Sequence, residues 1–263
     1  MACRPGGNCR RLALHTVTRR FGDYVARWIR ICFMSAVPDH KMHFAVLVSA
    51  NTEWRAVKPL FATAAIHTSP YGEYFFADVD REQVLFFQGG WGKVAAAGST
   101  QYVIDHFHPA RLINVGTCGG VEGRIQRFDV VVLEKAVIYD IAEAIGDSNE
   151  AVAEYSTSLP LPAVLPDHVV KATMYSADRD LTAAGLRELD PRYQPVVADW
   201  ESGAVAWVAN KNATPVLILR GVSDLVNPDK AEAQGNPQLF QKNTDRVMQN
   251  LVADLPVWLA AWR

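Results

Sequence analysis

The 263-residue chain is 49% hydrophobic and 21% charged, the balance of a globular protein with one sizeable core, and one domain is the expectation. Seven arginines fall between Arg4 and Arg30. With residues 1–41 set aside, 18 basic side chains face 26 acidic ones, a net charge of −8, which excludes a nucleic-acid binder that works by neutralising phosphates.

Residues 1–41 are Arg-rich and acid-poor, and Leu12, Leu14, Val17, Phe21, Val25 and Trp28 recur at rough helical spacing. The stretch reads either as an organellar transit peptide or as an upstream extension from a misassigned start, because Met42 directly precedes a clean strand. Residues 42–263 are then one domain, cytoplasmic unless the first 41 residues direct it to an organelle. Cys3, Cys9 and Cys32 lie in the same stretch and Cys118 stands alone in the body, which leaves no disulfide framework and no CxxC metal pair. No apolar run is long enough to span a bilayer, so no membrane partner is expected.

From His43 onward strands alternate with helices, the pattern of an α/β layer structure with a mostly parallel sheet. A buried strand is expected over 44–48, then a helix through Trp54, Val57 and Leu60 with Thr52 as its N-cap. A second strand covers 83–87, followed by a glycine-rich turn and a helix over 93–107. A third strand over 111–115 runs into the loop Gly116-Thr117-Cys118-Gly119-Gly120, and ligands of open α/β sheets bind at such strand ends. Further strands are expected over 128–133, 136–139 and 169–175. Residues 143–167, with Pro160, Pro162 and Pro166, read as one long loop of the kind that serves as a lid or binding segment. An Ala-rich helix over 200–210, a strand over 216–219 and a closing amphipathic helix over 240–262 complete the chain.

Gly90 to Ala95 satisfies the GxGxxA pattern of a dinucleotide site, but the strand ending at Gly116 has no acid to hold a ribose, so no dinucleotide is expected. Lys93 lacks the glycine spacing and the following Ser or Thr of a phosphate-binding loop. The histidines of the body, His43, His67, His106, His108 and His168, do not have zinc-site spacing, so neither metal nor organic cofactor is expected. Cys118 has no histidine near it in sequence and reads as a small buried hydrophobe rather than a nucleophile. The acids are more informative. Glu201, preceded by Asp199 and Trp200, opens a helix next to the small residues Ser202, Gly203 and Ala204. Ser223-Asp224 follows an apolar strand directly. Taken singly, each acid is more often structural, as a cap or an ion-pair partner.

Ile113-Asn114-Val115-Gly116-Thr117-Cys118-Gly119-Gly120, Val197-Ala198-Asp199-Trp200-Glu201-Ser202-Gly203-Ala204-Val205-Ala206 and Leu219-Arg220-Gly221-Val222-Ser223-Asp224 resemble, in order and spacing, signature segments of the purine nucleoside phosphorylase superfamily. Gly90-Trp91-Gly92-Lys93-Val94-Ala95-Ala96-Ala97 is similar to a segment of its 5′-methylthioadenosine/S-adenosylhomocysteine nucleosidase branch, the closest match. The resemblance covers about residues 43–255. It implies a three-layer fold with a central twisted mixed sheet flanked by helices, a homodimer, and cleavage of a purine N-glycosidic bond. By that resemblance Asp224 is the acid that protonates the purine at N7, oriented by Ser223, and Glu201 is the ribose ligand, with Trp200 where the family has Met. An ungapped alignment over 44–117 sets Glu53 on the acid that activates the attacking water. A carboxylate there would repel phosphate, which favours hydrolysis. Arg55 and Arg220 keep phosphorolysis open, and a non-catalytic nucleoside-binding protein of this fold is a third reading.

The family's Ser-Gly-Asp-Ala-Phe stretch, whose Phe stacks on adenine, is Ser176-Ala177-Asp178-Arg179-Asp180 here. Asp180 stands in place of the ring and favours a base with added donors, while Tyr175, Met174 or Trp200 would supply an apolar face. Thr117, Cys118 and Gly119 would line the nucleoside, and the 143–167 loop would suit its 5′-substituent.

Overall fold

The computed structural model describes residues 42–263; the helical stripe expected within residues 1–41 lies outside the described residues. Strand β1 (Phe44–Ser49) is buried along its whole length. Its side chains divide with the period of two that a strand imposes: Ala45 and Leu47 enter one core, Phe44, Val46 and Val48 the other. Helix α1 (Asn51–Val57) follows at once and passes into a 3₁₀ turn, Lys58–Phe61. Its N-cap is Ala50 rather than Thr52, because Glu53 at the third helical position takes the cap's N–H and makes a capping side chain dispensable.

Strands β2 (His67–Ser69), β3 (Gly72–Val79) and β4 (Glu82–Gln88) form an antiparallel edge joined to β1 through β4. Helix α2 (Gly92–Phe107) ends on His108 in the left-handed region, φ 46°, whose N–H reaches Ile104 O at 3.2 Å. Strand β5 (Arg111–Val121) does not stop at Val115. The expected loop Gly116 to Gly120 continues the strand, because β10 (Val216–Val226) pairs with it as far as Val121. The two strands expected over 128–139 are one, β6 (Val130–Ile138), with a bulge at Glu134.

The stretch 143–167 is not one loop. Helix α3 (Ser148–Glu154), capped by Asp147 accepting from Asn149 N at 2.8 Å, and strand β7 (Ser156–Ser158) on the edge of β6 interrupt it. Then come β8 (Val169–Ser176), α4 (Ala183–Tyr193), β9 (Val197–Asp199) and α5 (Ser202–Lys211). After β10 the closing helix is two, α6 (Pro237–Ala253) and α7 (Leu255–Ala261). They divide at Asp254, where Pro256 cannot continue the hydrogen-bond ladder.

Among the described residues the sheet order is β10-β6-β8-β9-β5-β1-β4-β3-β2, with a further pairing of β10 on β5. That pairing closes β5, β10, β6, β8 and β9 into a ring from which β1 to β4 extend as an open wing. The sheet is mixed: β1 with β4 and β5, β10 with β5, and β8 with β6 and β9 are parallel, whereas β5–β9 and β6–β10 are antiparallel. Helices α2 and α5 cover one face through Ala96, Val103, Val205 and Ala209. Helices α1, α6 and α7 cover the other through Trp54, Met248, Leu251 and Trp258, the three-layer arrangement expected above. Each large side chain so buried contributes roughly 1.5–3 kcal/mol relative to exposure. No helix among the described residues is long and apolar enough to cross a membrane.

Candidate active site

A cavity of about 530 Å³ opens at the carboxyl ends of β1, β5, β9 and β10. Strand pairing explains the place: β1, β5 and β10 run parallel and bring their C-terminal halves to one rim, and β9, antiparallel to β5, pairs Ala198 with Gly119 and so delivers Glu201 beside them. Glu53, Glu201 and Asp224 all line it, together with Thr117, Cys118, Gly119, Asp180, Trp200 and Ser223.

Glu53 enters from the first turn of α1 and is 4% exposed. One carboxylate oxygen accepts from Ala50 N at 2.7 Å and the other from Thr117 Oγ1 at 2.5 Å, so β5 and the cap of α1 fix it from two sides. Gly116, one residue before Thr117, allows this. A Cβ there would lie 2.2 Å from Ser49 O on the paired strand.

Glu201 sits at the N-cap of α5 and is 6% exposed. Its Oε1 accepts from Gly92 N, 2.9 Å away, at the start of α2. Gly92 has φ +82°, a conformation that favours glycine and turns this N–H toward the carboxylate. Burial, then the charge of Asp199, pushes Glu201 up to about 8.

Asp199 itself is committed to a buried network. It accepts from Arg220 Nε at 2.9 Å and Ser176 Oγ at 2.6 Å, and from the backbone and hydroxyl of Ser202. Arg220, 0% exposed, also donates to Asn114 Oδ1 at 2.6 Å and to Leu219 O at 3.0 Å. A guanidinium so occupied cannot turn to a phosphate in the cavity, which corrects the expectation that Arg220 keeps phosphate binding open. Arg55 does line the cavity, its Nη2 donating to Thr52 Oγ1 at 2.9 Å.

Asp224 lies within β10, not beyond its end. The β5–β10 register shifts at Ser223, so the extra residue forms a bulge that re-aims the side chains on either side of it. Ser223 Oγ donates to Asp224 Oδ1 at 2.6 Å, and Asn243 of α6 holds Ser223 O at 2.7 Å. Asp224 Oδ2 faces Gly119, whose missing side chain leaves room beside it. Burial raises the Asp224 pKa, and the nearby Glu232 and Asp180 carboxylates add to the rise against the lowering effect of the Ser223 hydroxyl. The group therefore holds its proton more tightly than an ordinary aspartate.

Two expectations fail. Tyr175 is not at the cavity: its hydroxyl donates to Tyr193 O at 3.3 Å and its ring packs against Tyr139 and Tyr193. Met174, its neighbour on β8, is fully buried in the core. Nor does any residue of 143–167 line the cavity, because β7 and α3 fold that stretch back against β6. Of the three side chains named for the apolar face only Trp200 lines the cavity, joined by Trp91, its ring centroid 5.5 Å away, and by Phe240. Sequence reasoning missed the segment from Ala231 to Pro237 that closes one side, although Asn236-Pro237, a cap residue followed by proline at the first helical position, marks the true start of α6. Cys118 is buried, and burial pushes its thiol well up, in keeping with the inert reading. Among the described residues no group of three His, Cys, Asp or Glu side chains is placed to hold a metal ion.

The chain is similar to curated 5′-methylthioadenosine/S-adenosylhomocysteine nucleosidases. It is 27% identical to that of Marinomonas sp. over 65% of this chain and 78% of the relative, and 28% identical to that of Thermotoga maritima over 66% and 79%. Its fold is that of the S. pneumoniae 5′-methylthioadenosine/S-adenosylhomocysteine nucleosidase solved with a transition-state inhibitor (TM-score 0.67, 18% identity, 84% of this chain and 100% of that one). It is likewise that of the Arabidopsis thaliana 5′-methylthioadenosine nucleosidase (TM-score 0.67, 21% identity, 82% and 97%). The phosphorylase superfamily model matches residues 30–197, more than half of the chain, and with the fold and the rim of acids in place this chain belongs to that superfamily.

Proposed function

We propose that the protein hydrolyses the N-glycosidic bond of a purine nucleoside of the 5′-methylthioadenosine or S-adenosylhomocysteine type. The observation that carries this reading is the convergence of Glu53, Glu201 and Asp224 on one cavity, with Arg220 buried outside its lining and paired with Asp199.

Breaking the bond puts negative charge on the leaving base and positive charge on the sugar. Asp224, which holds its proton more tightly than an ordinary aspartate, delivers it to N7 of the base from Oδ2, while Ser223 Oγ holds Oδ1. Glu201 accepts from the ribose hydroxyls and faces the developing cation. Hydrogen bonds to its charged form and a neighbouring positive charge both favour ionisation, so its pKa of about 8 falls as the sugar binds and reacts. Glu53, fixed by Ala50 N–H and Thr117, takes a proton from the attacking water. Phosphorolysis is the second reading, favoured by Arg55 at the rim.

The test is to incubate the protein with 5′-methylthioadenosine, S-adenosylhomocysteine, adenosine, inosine and guanosine, with and without phosphate, and to follow free base and sugar. Free sugar at a rate indifferent to phosphate is expected. Ribose 1-phosphate formed only with phosphate would establish the phosphorylase, and no turnover of any nucleoside would establish a binding protein. We also infer a homodimer, supported by the apolar side chains of Trp91 and Val94, 64% and 86% exposed, at and beside the cavity mouth, and a cytoplasmic location, supported by the free, buried thiol of Cys118.

A further inference from the structure

Lys93 has no part in the chemistry above, yet it is the centre of a partly buried charge cluster joining three segments distant in sequence. Its ammonium grips both oxygens of Asp140, just beyond β6, and lies 3.7 Å from Asp178 Oδ2, just beyond β8. Its own backbone N–H donates to Asp178 Oδ1 at 2.8 Å, and Asp178 N donates to Asp140 Oδ2 at 3.0 Å. The residue before it is Gly92, whose N–H holds Glu201. Consecutive N–H groups at the start of the 16-residue α2 therefore carry two carboxylates, Glu201 and Asp178, at the positive end of the helix dipole.

A helix end turned by a glycine at φ +82° has no side chain of its own to fix it, and α2 begins on an exposed indole, Trp91. What fixes it is the cluster. Asp178 Oδ1 would lie 3.0 Å from a Cβ on Gly92, so this carboxylate packs directly on the glycine whose N–H points at the sugar carboxylate. We propose that Lys93, Asp140 and Asp178 form a latch that holds the start of α2 in place and so keeps the Gly92 N–H on Glu201, making them positioning residues for the carboxylate that faces the sugar.

The inference rests on the nucleosidase reading for its catalytic meaning, but the geometry it invokes is testable without turnover. The charged and titratable groups facing Glu201 are Asp199 of β9, Arg220 of β10 and Glu53 of α1, with the Gly92 N–H from α2; Asp199 and Glu53 raise its pKa, Arg220 and the N–H lower it. Losing the latch removes the last of these, so the Glu201 pKa must rise. Deleting a nearby negative charge without moving α2 would act in the opposite sense. For the aspartates of the latch the direction of the shift thus separates positioning from plain electrostatics, whereas loss of the Lys93 charge raises the pKa on either account.

The experiment is a ¹³C NMR titration of the Glu201 carboxyl in the full chain, assigned by its disappearance in Glu201→Gln, for wild type, Asp178→Ala, Asp178→Asn and Lys93→Met. Asp178→Ala and Lys93→Met are expected to raise the Glu201 pKa by about one unit, the size of a lost backbone hydrogen bond to a carboxylate. Asp178→Asn keeps an acceptor for Lys93 N–H and should restore most of the wild-type value. If Asp178→Ala does not fold, Asp140→Ala, which also removes a negative charge from the cluster, carries the test with the same expected rise. An unchanged or lowered Glu201 pKa in the folded variants would overturn the latch whatever their activity. A wild type that turns over no nucleoside would sink the hydrolase reading while leaving the latch to stand on the titration.

Discussion

Asp224 is an aspartate in chemistry but not in environment, and its neighbours settle what it can do. An exposed aspartate is ionised at neutral pH and has no proton to give. Burial within β10, with Glu232 and Asp180 nearby, shifts it toward the acid form, and the Ser223 hydroxyl fixes which oxygen is free. Asp224→Asn keeps the shape and the Ser223 contact but removes the transferable proton. General acid catalysis contributes about 10² to 10⁴-fold, so kcat is expected to fall by that order while nucleoside binding, followed by isothermal calorimetry, changes little. Wild-type turnover in this variant would remove Asp224 from the mechanism. The three acids were legible in the sequence because each lies in or near a recognisable segment. The state of Arg220 was not: three residues before Ser223 it reads as one more cation for the site, and only the fold brings Asp199 and Asn114, from two other strands, onto it.

Elements with their own pattern were readable and elements that borrow their stability from neighbours were not. Strands β1 and β4 and helix α2 declare themselves by apolar runs or helical spacing. Strand β9 is three residues long and exists because β5 and β8 pair with it on either side. The continuation of β5 through Gly116 to Gly120 reads as a turn until β10 is placed beside it, since glycines signal turns unless close backbone approach requires them. That approach is tight enough to test. Gly116→Ala sets a methyl group 2.2 Å from Ser49 O, which forces β1 and β5 apart, and such overpacking costs about 1–3 kcal/mol. A lower Tm by calorimetry is expected, with a loss of kcat larger than the loss of folded protein, because Thr117 moves away from Glu53. A variant with wild-type Tm would mean that the strands separate freely here and that β5 does not fix Glu53.

At the scale of the whole molecule, the ring closed by β5 and β10 encloses ionisable groups that a core built for stability alone would exclude. The Asp199–Arg220 pair is internally satisfied. Glu201 is not, since its carboxyl has one N–H partner and a like charge beside it. Its pKa of about 8 in the folded protein, against 4.5 for an ordinary glutamate, means that the native state binds a proton over a pH range in which the unfolded chain has released it. The sign follows: below pH 4.5 the group is neutral in both states and costs nothing. As pH rises toward 8 the unfolded chain gains by ionising and the folded protein does not, so stability falls across that window and levels off above it. Glu201→Gln keeps an oxygen for Gly92 N–H and cannot ionise, so it escapes the penalty. The variant is expected to match wild type near pH 4.5, to become progressively more stable toward pH 8 by an amount on the order of a few kcal/mol, and to lose turnover. Paired denaturation curves between pH 4.5 and 9 measure this. A difference that stays flat with pH would show that Glu201 titrates like an exposed carboxylate. The expected divergence would locate in one residue the stability that the fold forgoes to hold a carboxyl where the proposed reaction forms a sugar cation.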